Sequence, residues 1–176
     1  MSIQELKSQI PDYAKDLRIN LGNIVTADNA PGLNDAQRWG VAVASAYATG
    51  NRALLDGIAT EAGEALDDSY AAAARTAAAI MGMNNVYYRF LHLASNTEYG
   101  QLPARLRMTA VGNPGIPKED FELFSLAVSA INGCGSCVDA HEKVVREAGL
   151  KAEGVQSAIR IAAVINAVSV VLDQEG

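Results

Sequence analysis

An all-α fold, a helical bundle built from two similar halves, is predicted for this chain. Three observations carry the prediction. Alanine is abundant, β-branched residues seldom alternate with polar ones, and apolar residues recur at helical spacing over long windows. Of the 176 residues, 49 % are apolar and 19 % charged, which is a globular rather than a disordered composition. At this length a single domain over residues 1–176 is the expectation.

The first helix is expected over 3–9 and the second over 11–21, within an amphipathic N-terminus of mixed charge. A break follows at Asp28, Asn29, Pro31 and Gly32. Alanine-rich stretches of helical apolar spacing then predict helices over 34–49, 51–65, 69–94 and 101–111. Asn113-Pro114-Gly115-Ile116-Pro117 is the clearest loop, because two prolines and a glycine disfavour helix there. Helices over 119–131, 134–148 and 151–173 complete the chain. Asn132-Gly133 ends the first of these three, since glycine suits the left-handed position just past a helix C-terminus.

An internal repeat is visible, roughly 34–94 against 119–173. Trp39-Gly-Val-Ala-Val-Ala-Ser-Ala lies on Phe124-Ser-Leu-Ala-Val-Ser-Ala-Ile. In that register Gln37 falls on Glu122, Thr49 on Cys134, Arg52 on Cys137 and Asp56 on His141. Only the second half carries the chemical groups.

Several function classes are disfavoured. Net charge is −6 with no block of Lys or Arg, so the clustered positive charge of a nucleic-acid footprint is missing. No apolar run approaches the ~20 residues of a membrane-spanning helix. The N-terminus lacks a hydrophobic signal-peptide core, so a cytoplasmic location is expected. The chain has only two cysteines, Cys134 and Cys137. A secreted disulfide scaffold would spread several along the chain, whereas one local CxxC points to redox or metal work.

Cys134 is placed at the start of a helix, where unsatisfied backbone N–H groups favour thiolate. Cys137 lies four residues before His141, so the two share a helix face. Glu122 stands about ten residues before the turn, ~15 Å of helix, and His141 about nine after it, ~14 Å. Antiparallel folding would bring them level. A carboxylate on one imidazole nitrogen would orient the other toward a thiol.

Magnitudes assign His141 its use. Lowering a thiol pKa from ~8.5 to ~7 raises the thiolate fraction about 15-fold at neutral pH. Each thiolate then loses a factor of ~5 in nucleophilicity. Proton delivery to a leaving group is the larger benefit, since general acid–base help is worth ~10²–10⁴.

Other readings stand beside this one. Zinc could take Cys134, Cys137, His141 and Glu122 as four ligands, although a second Cys/His pair is absent. Inert core cysteines are a further reading. Glu122 could be only a first-turn helix acid. His92 reads as packing or surface. Met81-Gly-Met83 and Tyr87-Tyr88 read as core or subunit interface rather than a cofactor box.

The sequence resembles the alkyl hydroperoxide reductase D family of the carboxymuconolactone decarboxylase-like superfamily. The likeness runs through Met81-Gly-Met-Asn-Asn-Val-Tyr-Tyr-Arg89, Asn113-Pro-Gly-Ile-Pro-Lys118, Phe121-Glu-Leu and Ala127-Val-Ser-Ala-Ile-Asn-Gly-Cys134. The family pattern of a glutamate, a CxxC and a histidine four residues on is met by Glu122, Cys134, Cys137 and His141. The resemblance implies an all-α homotrimer and a lipoyl-dependent peroxidase with no bound metal, flavin or haem. It implies dihydrolipoamide, carried on a lipoylated acyltransferase, as the electron donor. It also implies a peroxiredoxin partner, alkyl hydroperoxide reductase C. Family members carry a histidine between the cysteines in a proton relay; here that position is Ser136, which cannot hold a positive charge near neutral pH.

On that reading Cys137 is the thiolate that attacks peroxide, His141 its acid–base partner and Glu122 the group orienting His141. Cys134 resolves the sulfenic acid as a disulfide. A helix-terminal Cys134 could instead be the thiol that exchanges with partners. A non-redox decarboxylase or lactone-opening enzyme and a zinc-stabilised interaction module are the rival classes.

Overall fold

The computed structural model describes residues 1–175, residue 64 by its backbone alone. Helix α1 spans Ile3–Gln9, α2 Lys15–Asn23, α3 Asp35–Thr49, α4 Arg52–Ala62 and α5 Asp68–Leu93. Then come α6 at Thr109–Gly112, α7 at Lys118–Ile131, α8 at Gly135–Glu147 and α9 at Ala152–Glu175. Single 3₁₀ turns lie at Asp12–Ala14, Gly63–Ala65 and Thr97–Gln101, and no strand occurs among the described residues.

Local chemistry sets the helix starts. The Asn34 side chain accepts from the Gln37 N–H while Gln37 reaches back to the Asn34 N–H, a capping box that opens α3. Asn51 caps α4 and Asp67 caps α5 through their side-chain oxygens. The loop expected around Pro114 and Pro117 separates α6 from α7.

The helix expected over 101–111 does not form; only Thr109–Gly112 is α-helical there. Leu102 is extended, with φ −85° and ψ 143°. The ring of Pro103 imposes this on the residue before it. Arg105 then takes a left-handed φ of 52°, which a helix cannot pass through.

Helix α7 is the centre of the bundle. Ten consecutive residues, Asp120–Ser129, are buried, and α3, α5, α8 and α9 pack around them. Phe121, Leu123, Phe124, Leu126 and Val128 supply most of the enclosed apolar surface, and Asp120, Glu122, Ser125 and Ser129 are buried among them. Each of these apolar side chains contributes roughly 1.5–3 kcal/mol on burial. The buried Asp120 carboxylate accepts from Gln37 Nε2 at 2.7 Å and from the Tyr70 hydroxyl at 2.6 Å. Burial, then the bond to Asp120, pushes the Tyr70 phenol up to about 12.

Helices α3 and α7 cross where Gly40 meets Phe124. A β-carbon on Gly40 would lie 2.1 Å from the Phe124 ring, so only glycine fits. The register that lays Trp39 on Phe124 also lays α3 on α7, α4 on α8 and α5 on α9. Helix α9 is long and apolar enough by composition to cross a membrane. Half of that apolar window is buried in the bundle, where α9 packs on α3 and α7 and Ile161, Ile165 and Val168 are fully enclosed.

Candidate active site

The turn between α7 and α8 positions the two cysteines. Gly133 takes φ +67°, its N–H bonds to the Ala130 carbonyl, and the Cys134 N–H bonds to the Ser129 carbonyl. These are the two bonds of a Schellman motif, and the glycine takes the conformation that other residues resist. Cys134 is the N-cap of α8, and Cys137 stands in the first turn. Both sulfurs therefore lie where the free N–H groups of the helix favour negative charge.

The structure captures the oxidised form: a disulfide joins Cys134 and Cys137 across a Cα separation of 5.3 Å. Cys134 is fully enclosed, whereas 6 % of Cys137 is exposed. The Ser136 hydroxyl lies 3.7 Å from the Cys134 sulfur, and no bond joins it to His141.

Helices α7 and α8 fold back on each other and bring Glu122 level with His141. Glu122 Oε2 lies 2.5 Å from His141 Nδ1, with 7 % and 14 % of the two side chains exposed. With the carboxylate ionised, Nδ1–H donates to it, so Nε2 is the nitrogen left to exchange a proton. In this oxidised form Nε2 faces the Met81 sulfur at 3.2 Å rather than either cysteine. Among the described residues no group of three or more His, Cys, Asp or Glu side chains is arranged to hold a metal ion.

A cavity of about 220 Å³ opens at this point, lined by Met81, Asn84, Tyr88, Ser136, Cys137, Ala140 and His141. Cys137 and His141 both face it, and Cys134 does not. One wall comes from α5. Along the same helix Asn85 Nδ2 donates to Ser129 Oγ at 2.9 Å, Asn132 Nδ2 donates to Asn85 Oδ1 at 2.9 Å, and Arg89 donates to the Asn132 carbonyl at 2.5 Å. Helix α5 thus holds the turn that leads into Cys134.

Met81 and Tyr88 are site residues that the sequence reading leaves in the core or at a subunit interface, and Asn84 and Asn85 are residues around the site to which it gives no role. Their signal is the spacing Met81, Asn85, Arg89, one face of a helix. Paired asparagines in an alanine-rich helix add to it, since buried amides need partners. His92, by contrast, is exposed on α5, away from this cavity.

The profile of the carboxymuconolactone decarboxylase family matches residues 97–174. An alkyl hydroperoxide reductase AhpD of Rhodospirillum centenum is 54 % identical over 175 residues, covering 99 % of this chain and 92 % of the relative. Proteins of the same name are similar across nearly their full lengths. That of Maricaulis maris is 53 % identical, covering 99 % of each chain. That of Bradyrhizobium sp. strain ORS 278 is 52 % identical, covering 100 % of this chain and 96 % of the relative. On identity of this extent, with the disulfide and the Glu122–His141 pair in place, the chain belongs to the alkyl hydroperoxide reductase AhpD family.

Proposed function

We propose that this chain is a lipoyl-dependent alkyl hydroperoxide reductase that works by a dithiol–disulfide cycle at Cys134 and Cys137. The observation that carries the reading is a single cavity with Cys137 and His141 in its wall and Glu122 bonded behind His141. The names of the relatives support a peroxide substrate.

The cycle starts from the reduced protein. The Cys137 thiolate attacks the terminal oxygen of the hydroperoxide; an S–O bond forms as the O–O bond breaks. The leaving alkoxide takes a proton from His141 Nε2 and departs as an alcohol. Glu122 holds Nδ1 and stabilises the protonated ring that delivers this proton. The sulfenic acid on Cys137 is then attacked by Cys134, the disulfide forms, and the oxygen leaves as water. Cys137 in the cavity wall and Cys134 fully enclosed behind it support this order.

Dihydrolipoamide, presented by a lipoylated acyltransferase, reopens the disulfide by thiol exchange and leaves as the cyclic disulfide. The net change is hydroperoxide plus dithiol to alcohol, water and disulfide, with no bound cofactor. The same dithiol would reduce the disulfide of a partner peroxiredoxin of the alkyl hydroperoxide reductase C type, in the cytoplasm. Val86, Phe90 and Leu93, exposed along α5, give apolar surface for the homotrimer of this reading.

Hydroperoxide consumption with and without dihydrolipoamide tests the proposal. Turnover is expected only with the donor and is lost in Cys137→Ser. Absence of lipoamide-dependent turnover, of both hydroperoxide and peroxiredoxin disulfide, would refute it.

A further inference from the structure

His141 is held from two sides in the oxidised protein. Glu122 Oε2 lies 2.5 Å from Nδ1, and the Met81 sulfur lies 3.2 Å from Nε2. With Nδ1–H on the carboxylate, a neutral ring would turn its Nε2 lone pair toward a sulfur that also carries lone pairs. At 3.2 Å that contact repels, whereas an Nε2–H between the two atoms is a hydrogen bond to the thioether. The geometry therefore fits a ring with a proton on each nitrogen. Among the described residues Nε2 has no other hydrogen-bond partner.

Met81 has little freedom to leave. It is 1 % exposed on α5, and Asn85 Nδ2 approaches its sulfur at 3.8 Å from the next turn. It also lines the cavity that Cys137 and His141 share. A hydrocarbon side chain in its place would leave a buried N–H unpaired, which is costly. A carboxylate or amide oxygen would hold that N–H too firmly to give it up. A thioether is a weak acceptor, and a thiolate is a strong, charged one. The sulfur therefore keeps the N–H satisfied only while Cys137 is locked in the disulfide.

We propose that Met81 is a positioning residue: its sulfur accepts the Nε2–H of His141 in the disulfide form and yields it to the Cys137 thiolate when the disulfide opens. This rests on the reading of Cys134 and Cys137 as a cycling pair. Dihydrolipoamide gives two electrons to the disulfide and leaves as a cyclic disulfide. One of its thiol protons ends on Cys134 and the other in solvent. Cys137 is released as a thiolate into a cavity whose imidazole already carries its proton. The ring passes that proton to the alkoxide in the next peroxide step and regains one from solvent once the disulfide has re-formed. Met81 and Cys137 are thus the two acceptors of one N–H, the first in the oxidised protein and the second in the reduced.

Nuclear magnetic resonance of the disulfide form, with its histidine nitrogens labelled, tests this at neutral pH. The chain has two histidines, and His92 is exposed, so its ring N–H signals are lost to exchange with water. His141 is expected to show both ring N–H signals. Met81→Leu keeps the volume and removes the acceptor. The Nε2–H signal should then vanish while Glu122 preserves the Nδ1–H signal. Selenomethionine in place of methionine keeps the packing and should shift Nε2–H more than Nδ1–H. In Met81→Leu the equilibrium of the disulfide with dihydrolipoamide should move about threefold or more toward the dithiol, because the lost bond belongs to the oxidised form. A bare Nε2 in the wild type, loss of both signals together in Met81→Leu, or an unmoved equilibrium would overturn the assignment. Failure of the wild type to reduce hydroperoxide would refute the peroxidase reading without moving any of these readouts.

Discussion

Glu122 Oε2 and His141 Nδ1 lie 2.5 Å apart although α7 carries one and α8 the other, so the turn at Asn132-Gly133 determines whether the pair exists. The imidazole is held from behind and presents Nε2 at a cavity shared with Cys137. In the proposed cycle, acid–base chemistry uses both residues as a unit. His141→Ala is expected to slow hydroperoxide reduction by ~10²–10⁴. Glu122→Gln keeps a neutral hydrogen bond and is expected to slow it about tenfold. Residues acting as a unit lose little more together than singly. Steady-state kinetics of the double variant should therefore match His141→Ala alone, and a multiplicative loss would contradict the pairing.

The crossing of α3 and α7 tolerates no side chain at residue 40. Gly40→Ala places a methyl 2.1 Å from the Phe124 ring, so the helices must separate. A loss of about 1–3 kcal/mol is expected from overpacking. Denaturant unfolding measures it, and Phe124→Leu in the same chain should restore part of the loss. An unchanged midpoint in Gly40→Ala would show that the helices part freely.

Tyr70 links pH to stability at the other end of α7. Burial and the bond to Asp120 raise its phenol from an ordinary 10.0 to about 12. A group whose folded value is raised stabilises fully below its unfolded value and loses that effect as pH rises through the folded one. The Tyr70 contribution is therefore whole below about pH 10 and fades toward pH 12. Ultraviolet titration should show a tyrosine ionising toward pH 12 that disappears in Tyr70→Phe. Tyr70→Phe should also flatten the alkaline stability loss.

Asn85 ties α5 to the cysteine turn through Ser129 and Asn132. Asn85→Leu leaves Ser129 Oγ and Asn132 Nδ2 without these partners. A cost of about 1–3 kcal/mol is expected for the unpaired groups. Because the turn loses its tie, amide exchange at Gly133 and Cys134 should rise more than in α9. A uniform rise across the chain would mean that Asn85 only fills space.

Much of the site is readable from local sequence because local rules produce it. Glycine after Asn132 specifies the left-handed turn, and that turn places Cys134 at the start of α8. Spacing along two antiparallel helices then brings Glu122 to His141. The wall contributed by α5 is not local. Nothing near residue 84 states that α5 will lie against α8, and Met81 reads as core because it is core, 1 % exposed, as well as a neighbour of His141. The error at 101–111 has the opposite cause. Helical spacing there is outweighed by Pro103 and the left-handed Arg105, two local features that deserve more weight than the apolar pattern.

In the proposed cycle Cys137 attacks and Cys134 resolves. Mass spectrometry of single-cysteine variants, reduced and then given one equivalent of hydroperoxide with dimedone to trap sulfenic acid, tests it most directly. Cys134→Ser should carry the adduct on Cys137, and Cys137→Ser should carry none. An adduct on Cys134 in the second variant, with Cys137 unmodified in the first, would reverse the roles and contradict the account.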